Sequence, residues 1–352
     1  MTGRQSELVY VSSDEPGIGR RRTRTGFAYV GTNGKPLRDP ATLKRIRSLV
    51  IPPAWVNVWI CVDPAGHVQA TGRDAAGRKQ YRYHADFRTL RDGAKYEHLA
   101  TFAEALPVLR RQVAADMGRR GLPREKVLAT VVHLLDTTLI RVGNGEYARQ
   151  NGSFGLTTLR DRHVAIAGDA LRFEFKGKSG KAWKLRMRDR RVARIVRSCQ
   201  ELPGQHLFQY LDADGRHGSV GSTDVNAYLR AVTGADITAK DFRTFAGTVV
   251  AAEALAAYDG TDSLTLRKAN VRAAIDRVAT RLGNTPAVTR ACYVHPAVVE
   301  AYLNGALALP ARRRAGLAGE EAAVMAFLHD RVTPRRRRTA HGTPASLAAS
   351  PA

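Results

Sequence analysis

Cysteine is scarce in this 352-residue chain, and Cys61, Cys199 and Cys292 are odd in number and far apart. That spacing gives neither a disulfide framework nor a zinc-ligand pattern. None of the ten histidines falls into H-E-x-x-H or a comparable arrangement, and there is no G-x-x-x-x-G-K-[ST] loop. Chemistry dependent on a metal or on ATP has no visible support, and no cofactor is expected. No apolar run approaches the roughly 18 residues of a membrane span. The opening Met1-Thr-Gly-Arg-Gln-Ser has no apolar signal core behind its basic residue. The expectation is an intracellular, cytoplasmic protein without a membrane partner. No internal repeat stands out.

Acidic residues are also in deficit. There are 32 of them against 56 lysines and arginines, a net charge of +24 at neutral pH, with a pI near 10.7. Solubility needs far less, so the excess points to a polyanion partner. The run Arg335–Arg338 supplies only four of these charges. The rest is spread through the folded regions, which favours a wide nucleic-acid footprint over a sticky tail. Apolar residues make up 44% of the chain, enough for a proper core, and the length suggests two or three domains.

The pattern predicts an α+β protein: a small β-rich N-terminal domain over 1–90, a mainly helical domain over 91–332 with a β-hairpin insertion, and a basic disordered tail over 333–352. Gly26-Phe-Ala-Tyr-Val and Trp55-Val-Asn-Val-Trp-Ile-Cys-Val alternate as strands do, with a further strand from His67 to Thr71. Asp39-Pro40 opens a short helix through Leu49. Pro107 suits the first position of a helix and so splits 94–120 into two. Residues 124–141 read as a helix ended by Gly143. Leu156–Leu159, Val164–Ile166, Leu171–Lys176 and Ala182–Met187 read as short strands, with Gly177-Lys-Ser-Gly180 as a hairpin loop carrying Lys178 at its tip. Helices are expected over 224–232 (capped by Ser222 or Thr223), 239–258 (capped by Thr238), 263–282, 296–304 and 318–330.

Four segments place a cation or amide where a helix or hairpin ends: Arg141-Val-Gly-Asn144, the Gly177-Lys178 loop, Lys240-Asp-Phe-Arg243, and the run from Asn284 to Tyr293. Singly each has an ordinary structural explanation. An arginine at a helix C-terminus is favoured by the dipole, and a tyrosine in a helical region is usually core. Arg243, near a helix start, is odd, because the dipole disfavours a cation there. Together the segments fit one reaction without a metal. Attack on a phosphodiester gathers charge on its equatorial oxygens, which arginine forks match bidentately. A tyrosine oxygen can form a covalent phosphoester, and neighbouring cations help its phenolate develop. A lysine of lowered pKa on a loop could protonate the leaving 5′-oxygen.

The chain resembles the type IB DNA topoisomerases, in their small poxvirus-like and bacterial branch. The resemblance covers about residues 10–330. It rests on Gly26-Phe-Ala-Tyr, Ile51-Pro-Pro-Ala-Trp55 and Gly77-Arg-Lys-Gln-Tyr-Arg-Tyr83, then on Arg141-Val-Gly-Asn-Gly-Glu-Tyr, Gly155-Leu-Thr-Thr-Leu, Lys240-Asp-Phe-Arg-Thr-Phe and the segment ending at Tyr293. It implies Tyr293 as nucleophile, forming a 3′-phosphotyrosyl link, with Arg141 and Arg243 as the transition-state arginines. Lys178 matches the hairpin general acid, and Lys181, three residues later, is a rival by spacing. Asn284 stands where poxvirus members have histidine and bacterial members asparagine, which argues for a donor role there. Lys240 would contact a phosphate. Gln80, Tyr81 and Tyr83 match positions that contact DNA in the major groove, although alternating tyrosines also suit one face of an edge strand. The resemblance further implies a monomer clamping duplex DNA, associated with the nucleoid, which relaxes positive and negative supercoils without ATP or metal. A tyrosine recombinase and a non-catalytic DNA-binding descendant of the same scaffold are the rival readings.

Overall fold

The computed structural model describes residues 8–258 and 260–332. The expected tail at 333–352, including Arg335–Arg338, lies outside the described residues. The chain forms two compact units, Met1–Tyr96 and Glu97–Ala352, the first β-rich and the second mainly helical, so the fold is α+β. Among the described residues no helix is long and apolar enough to cross a membrane.

The first unit is built on a five-stranded antiparallel sheet of β1 (Ile18–Thr23), β2 (Gly26–Val30), β3 (Val56–Ile60), β4 (Val68–Arg73) and β5 (Lys79–Tyr83), ordered β2-β1-β3-β4-β5. Helix α1 (Pro40–Ser48) starts where Asp39 Oδ2 accepts the Thr42 N–H at 2.7 Å and Pro40 fills the first turn. Its Ile46 packs with Ile18, Val58, Ile60 and Ala70 to form this unit's core.

Helix α2 (Ala85–Met117) leads into the second unit. It runs through Pro107 unbroken, which corrects the predicted split. The buried stripe Leu99, Phe102, Ala103, Leu106, Leu109, Val113 and Met117 keeps its helical phase across the proline. An interior proline costs about 3 kcal/mol, whereas each fully buried leucine stabilises by about 1.5–3 kcal/mol. Packing therefore wins.

Helix α3 (Arg124–Thr138) ends earlier than predicted. The stop is Leu139, in the left-handed region at φ 58, and Gly143, at φ 101, lies in the loop beyond. The Thr138 hydroxyl donates back to the Leu134 carbonyl and accepts the Ile140 N–H, closing the last turn. Arg141 thus stands past the helix end in the loop before Asn144, not in the last helical turn.

Helix α4 (Gly145–Asn151) follows, capped by Asn144. Leu156–Leu159, predicted as a strand, is a 3-10 turn over Leu156–Thr158. Its amides donate to the Arg141 and Val142 carbonyls at 2.9 and 2.7 Å, so no ladder forms. Strands β6 (Val164–Ala167), β7 (Ala170–Lys176) and β8 (Ala182–Arg188) make the inserted antiparallel sheet. Helix α5 (Arg190–Gln200), absent from the prediction, buries Val192, Ala193, Ile195, Val196 and Cys199 along one face and is capped by Asp189. The short pair β9 (Gln209–Leu211) and β10 (His217–Ser219) follows.

The remaining helices are α6 (Ser222–Thr233), α7 (Ala239–Ala256), α8 (Leu264–Leu282), α9 (Pro286–Cys292), α10 (Pro296–Leu303) and α11 (Gly319–Val332). The cap of α6 is Gly221, whose N–H donates to Asp224, and Ser222 is already helical. That displaces the predicted Ser222 or Thr223 cap. Helix α7 lies at the centre of the unit, packed against α3, α8, α10 and α11.

Candidate active site

The site is built around Arg243, in the second turn of α7. Its side chain is only 3% exposed. The guanidinium donates to the Leu139 carbonyl at the end of α3 and, at 2.7 Å, to the Leu282 carbonyl at the end of α8. Two helix C-termini, each carrying partial negative charge, converge on one cation. That arrangement answers the oddity seen in the sequence: the N-terminus of α7 disfavours a cation, and the ends of α3 and α8 offset it. Burial, with Arg141 nearby, pushes the Arg243 pKa down to about 10, so the group stays charged at neutral pH. Its Nε is buried and has no hydrogen-bond partner among the described residues.

Tyr293 sits against this cation. It ends α9, which begins at Thr285, whose hydroxyl accepts the Val288 N–H, and at Pro286. The guanidinium carbon of Arg243 lies 5.2 Å from the centre of the Tyr293 ring. The tyrosine backbone is seated on the same helix, one turn further on. A Cβ on Gly247 would stand 2.5 Å from the Tyr293 carbonyl oxygen, so only glycine permits this approach. Thr248 accepts the His295 N–H at 3.1 Å and fixes the chain just beyond the tyrosine. Burial tends to raise the phenol pKa. The charge and contact of Arg243, helped by Arg141 and Lys240, outweigh it and hold the phenol below its ordinary value.

Arg141 is placed by a pair of glycines. A Cβ on Gly155 would meet the Arg141 carbonyl oxygen at 2.5 Å and Gly143 Cα at 2.6 Å. The Arg141 side chain donates to Asn284 Oδ1. A guanidinium can only donate, so the amide must turn its oxygen to Arg141 and keep Nδ2 as a donor. That Nδ2 is buried and has no partner among the described residues. Asn284 follows Gly283, which closes α8 at φ +60, and its own N–H bonds the Ala279 carbonyl at 2.9 Å.

Arg141, Lys178, Lys240, Arg243 and Tyr293 line a single cleft of about 610 Å³, with Asn144, Tyr147 and Phe154 also on its wall. Asn284, bonded to Arg141, is not among the lining residues. Glu146 is the one carboxylate among the described lining residues, so the cleft suits an anion better than a cation. Lys181 ends the same hairpin loop, and the cleft lining includes Lys178 and not Lys181. Gln80, Tyr81 and Tyr83 lie in the first unit on β5, an edge strand. Tyr81 and Tyr83 stack at 5.9 Å with rings 10° apart, and Lys79 lies over Tyr81. Gln80 is on the other face, its Nε2 donating to Asp74 at 2.8 Å.

Residues 84–310 match the eukaryotic DNA topoisomerase I catalytic core, and residues 26–74 match the N-terminal domain of bacterial DNA topoisomerase IB. A DNA topoisomerase 1B of Acanthamoeba polyphaga mimivirus is 32% identical over 295 residues, which cover 82% of this chain and 88% of that protein. The chain belongs to the type IB DNA topoisomerases. Arg141, Lys178, Lys240, Arg243, Tyr293 and Asn284 fall within the matched catalytic core.

Sequence reasoning passed over several groups that shape this topoisomerase's cleft. Tyr147 lies at the end of the quoted Arg141 motif, but nothing in its spacing sets it apart from a surface tyrosine. Gly247 sits in mid-helix, where glycine costs about 1 kcal/mol relative to alanine. That local cost was the available signal of a close approach.

Proposed function

We propose that Tyr293 is the nucleophile of this type IB DNA topoisomerase and that Arg141, Arg243, Lys178 and Asn284 complete its catalytic set. The enzyme nicks one strand of duplex DNA through a covalent 3′-phosphotyrosyl intermediate, allows rotation and reseals the strand. In the proposed assignment, the Tyr293 phenol gives up its proton to solvent and its oxygen attacks phosphorus as the bond to the 5′-oxygen breaks. Lys178 hands its proton to that leaving oxygen, and Arg141 and Arg243 stabilise the charge on the equatorial oxygens. Asn284 Nδ2 adds a donor. Resealing runs these steps backwards. The phosphodiester energy is kept in the tyrosyl link, so the cycle needs no ATP, and none of its proton transfers calls for a metal.

The observation that carries this reading is the Tyr293 ring held against the buried Arg243 guanidinium in a cleft that also presents Arg141, Lys178 and Lys240. Lys240 would hold a neighbouring phosphate. Gln80, Tyr81 and Tyr83 would contact the major groove from a DNA-binding domain over 1–90, with the catalytic domain over 91–332. We also infer that the enzyme acts as a monomer on nucleoid DNA in the cytoplasm.

Plasmid relaxation in EDTA tests the assignment. Wild-type protein should relax both positively and negatively supercoiled DNA, and Tyr293→Phe should lower the rate on the order of 10⁴-fold or more with no covalent adduct. Equal relaxation by the two proteins would remove Tyr293 from the mechanism.

A further inference from the structure

Trp183 has no part in the reaction as described, yet its indole touches the backbone beside two proposed catalytic groups. It lies on β8, paired across the sheet with Phe175 of β7, and the two rings stack at 6.1 Å and 3°. A Cβ built on Gly177 would fall 2.6 Å from the indole, and one on Gly283 would fall 2.7 Å from it. Gly177 immediately precedes Lys178, and Gly283 immediately precedes Asn284. Gly177 has φ −90, a conformation open to any residue, so its need for glycine comes from the indole alone. The loop that Gly177 opens is short and closed on itself: its N–H donates to the Lys181 carbonyl at 2.8 Å, and the Gly180 N–H donates to the Gly177 carbonyl at 3.1 Å.

We propose that Trp183 is a positioning residue, a strut between the end of α8 and the hairpin loop that sets Lys178 at the leaving-group side of the cleft. The proposal rests on the general-acid reading of Lys178. The hairpin extends from its own three-stranded sheet, and without the indole, the space between Gly177 and Gly283 would be open. The loop could then move relative to Arg141, Asn284 and Tyr293. A displacement of about 1 Å in a catalytic group can cost on the order of 10²-fold.

The test uses the full-length enzyme and two synthetic duplexes with one mapped cleavage site. One carries the ordinary phosphodiester, the other a sulfur atom in place of the bridging 5′-oxygen. A thiolate leaves without a proton, so the sulfur substrate bypasses the general acid while still needing the nucleophile and arginines. Trp183→Ala should slow single-turnover cleavage of the phosphodiester on the order of 10²-fold and leave sulfur-substrate cleavage within a few-fold of wild type. Gly177→Ala, whose backbone tolerates alanine but whose Cβ collides with the indole, should show the same selective loss with Trp183 in place. The Trp183→Ala/Lys178→Ala double variant should be no slower than Lys178→Ala.

Equal losses on both substrates in the two positioning variants, or a fully additive double variant, would overturn the strut. If Lys178→Ala itself loses as much on sulfur as on oxygen, the general-acid reading falls, and the strut with it. If Lys178→Ala is rescued by sulfur and Trp183→Ala is not, only the strut falls.

Discussion

A guanidinium placed early in a helix opposes the helix dipole, and burying it away from an anion should lower its hold on the proton. Arg243 shows both effects, and the carbonyls of Leu139 and Leu282 keep it in place. Its consequence for Tyr293 has a sign. The cation favours the phenolate, so the phenol lies below its ordinary value although burial alone would raise it. Cleavage at subsaturating DNA should therefore rise with pH as the phenol ionises, with a midpoint below the usual tyrosine value. It should fall again as Arg243 loses its proton near pH 10. In Arg243→Gln the main lowering influence is gone and burial prevails, so the rising limb should move to higher pH on top of a large loss of rate. A pH–rate profile of the two proteins checks this, and an unmoved rising limb would mean that Arg243 does not tune the Tyr293 phenol.

At the scale of elements, packing overrides local preference in α2. Its proline is carried by the buried stripe on either side, so Pro107→Ala should raise stability by about 1–3 kcal/mol in denaturant titrations, by restoring an amide hydrogen bond. The contact of Pro107 with Gly316 is the part that would be lost. A second tie joins α2 to α6, where the Tyr228 hydroxyl donates to the buried Asp116 carboxylate at 2.8 Å. Burial works to raise the Asp116 pKa, and the hydrogen bonds from Tyr228, Gln112 and Arg119 overcome it and hold the carboxyl below its ordinary value. A depressed carboxyl stabilises the fold above its unfolded pKa, and that contribution is lost as pH falls through the folded one. Tyr228→Phe should accordingly cost about 1–3 kcal/mol at neutral pH, and less in acid, as thermal unfolding across pH would show. These elements also mark what was legible in the sequence. In the first unit β2, β3 and β4 follow from period, as do the hairpin with Lys178 at its loop and α7, α8, α10 and α11, because in them burial and local preference agree. Strand β1, with three arginines in a row, shows no alternation and was not read as a strand. Helix α5 has a clear 192/195/196/199 period, but its arginine-rich start masks the turn out of β8. The end of α3 was misread because a leucine, not the nearby Gly143, takes the left-handed position, and the carbonyl that position exposes is satisfied by an arginine a hundred residues away. The site followed the same division. The order of Arg141, Lys178, Arg243, Asn284 and Tyr293 was visible in one dimension. The glycine contacts at Gly247, Gly177 and Gly283 exist only once the chain is folded.

Charge acts at the scale of the whole molecule. Several acidic side chains are engaged in internal pairs where the structure describes them, among them Asp136 and Glu321 with Arg110, Asp116 with Arg119, Asp224 with Arg124 and Asp74 with Arg78. Even if each of the 32 acidic residues neutralised one base, 24 cations would remain. That excess repels itself in the free protein and is relieved when phosphates replace salt ions at the surface. Binding should then be driven largely by counterion release, with log K falling against log salt at about −0.9 per phosphate neutralised. For roughly six to ten phosphates, affinity for a labelled duplex should drop by about 10³ to 10⁵ between 50 and 200 mM salt. Anisotropy titrations of Tyr293→Phe, which on the proposed assignment does not cleave, isolate this binding term. A chain ending at Val332 lacks the four arginines Arg335–Arg338 and should keep most of the slope, since the remaining cations lie elsewhere. A nearly flat salt dependence would contradict the wide footprint, and loss of the slope on truncation would move that footprint to the tail.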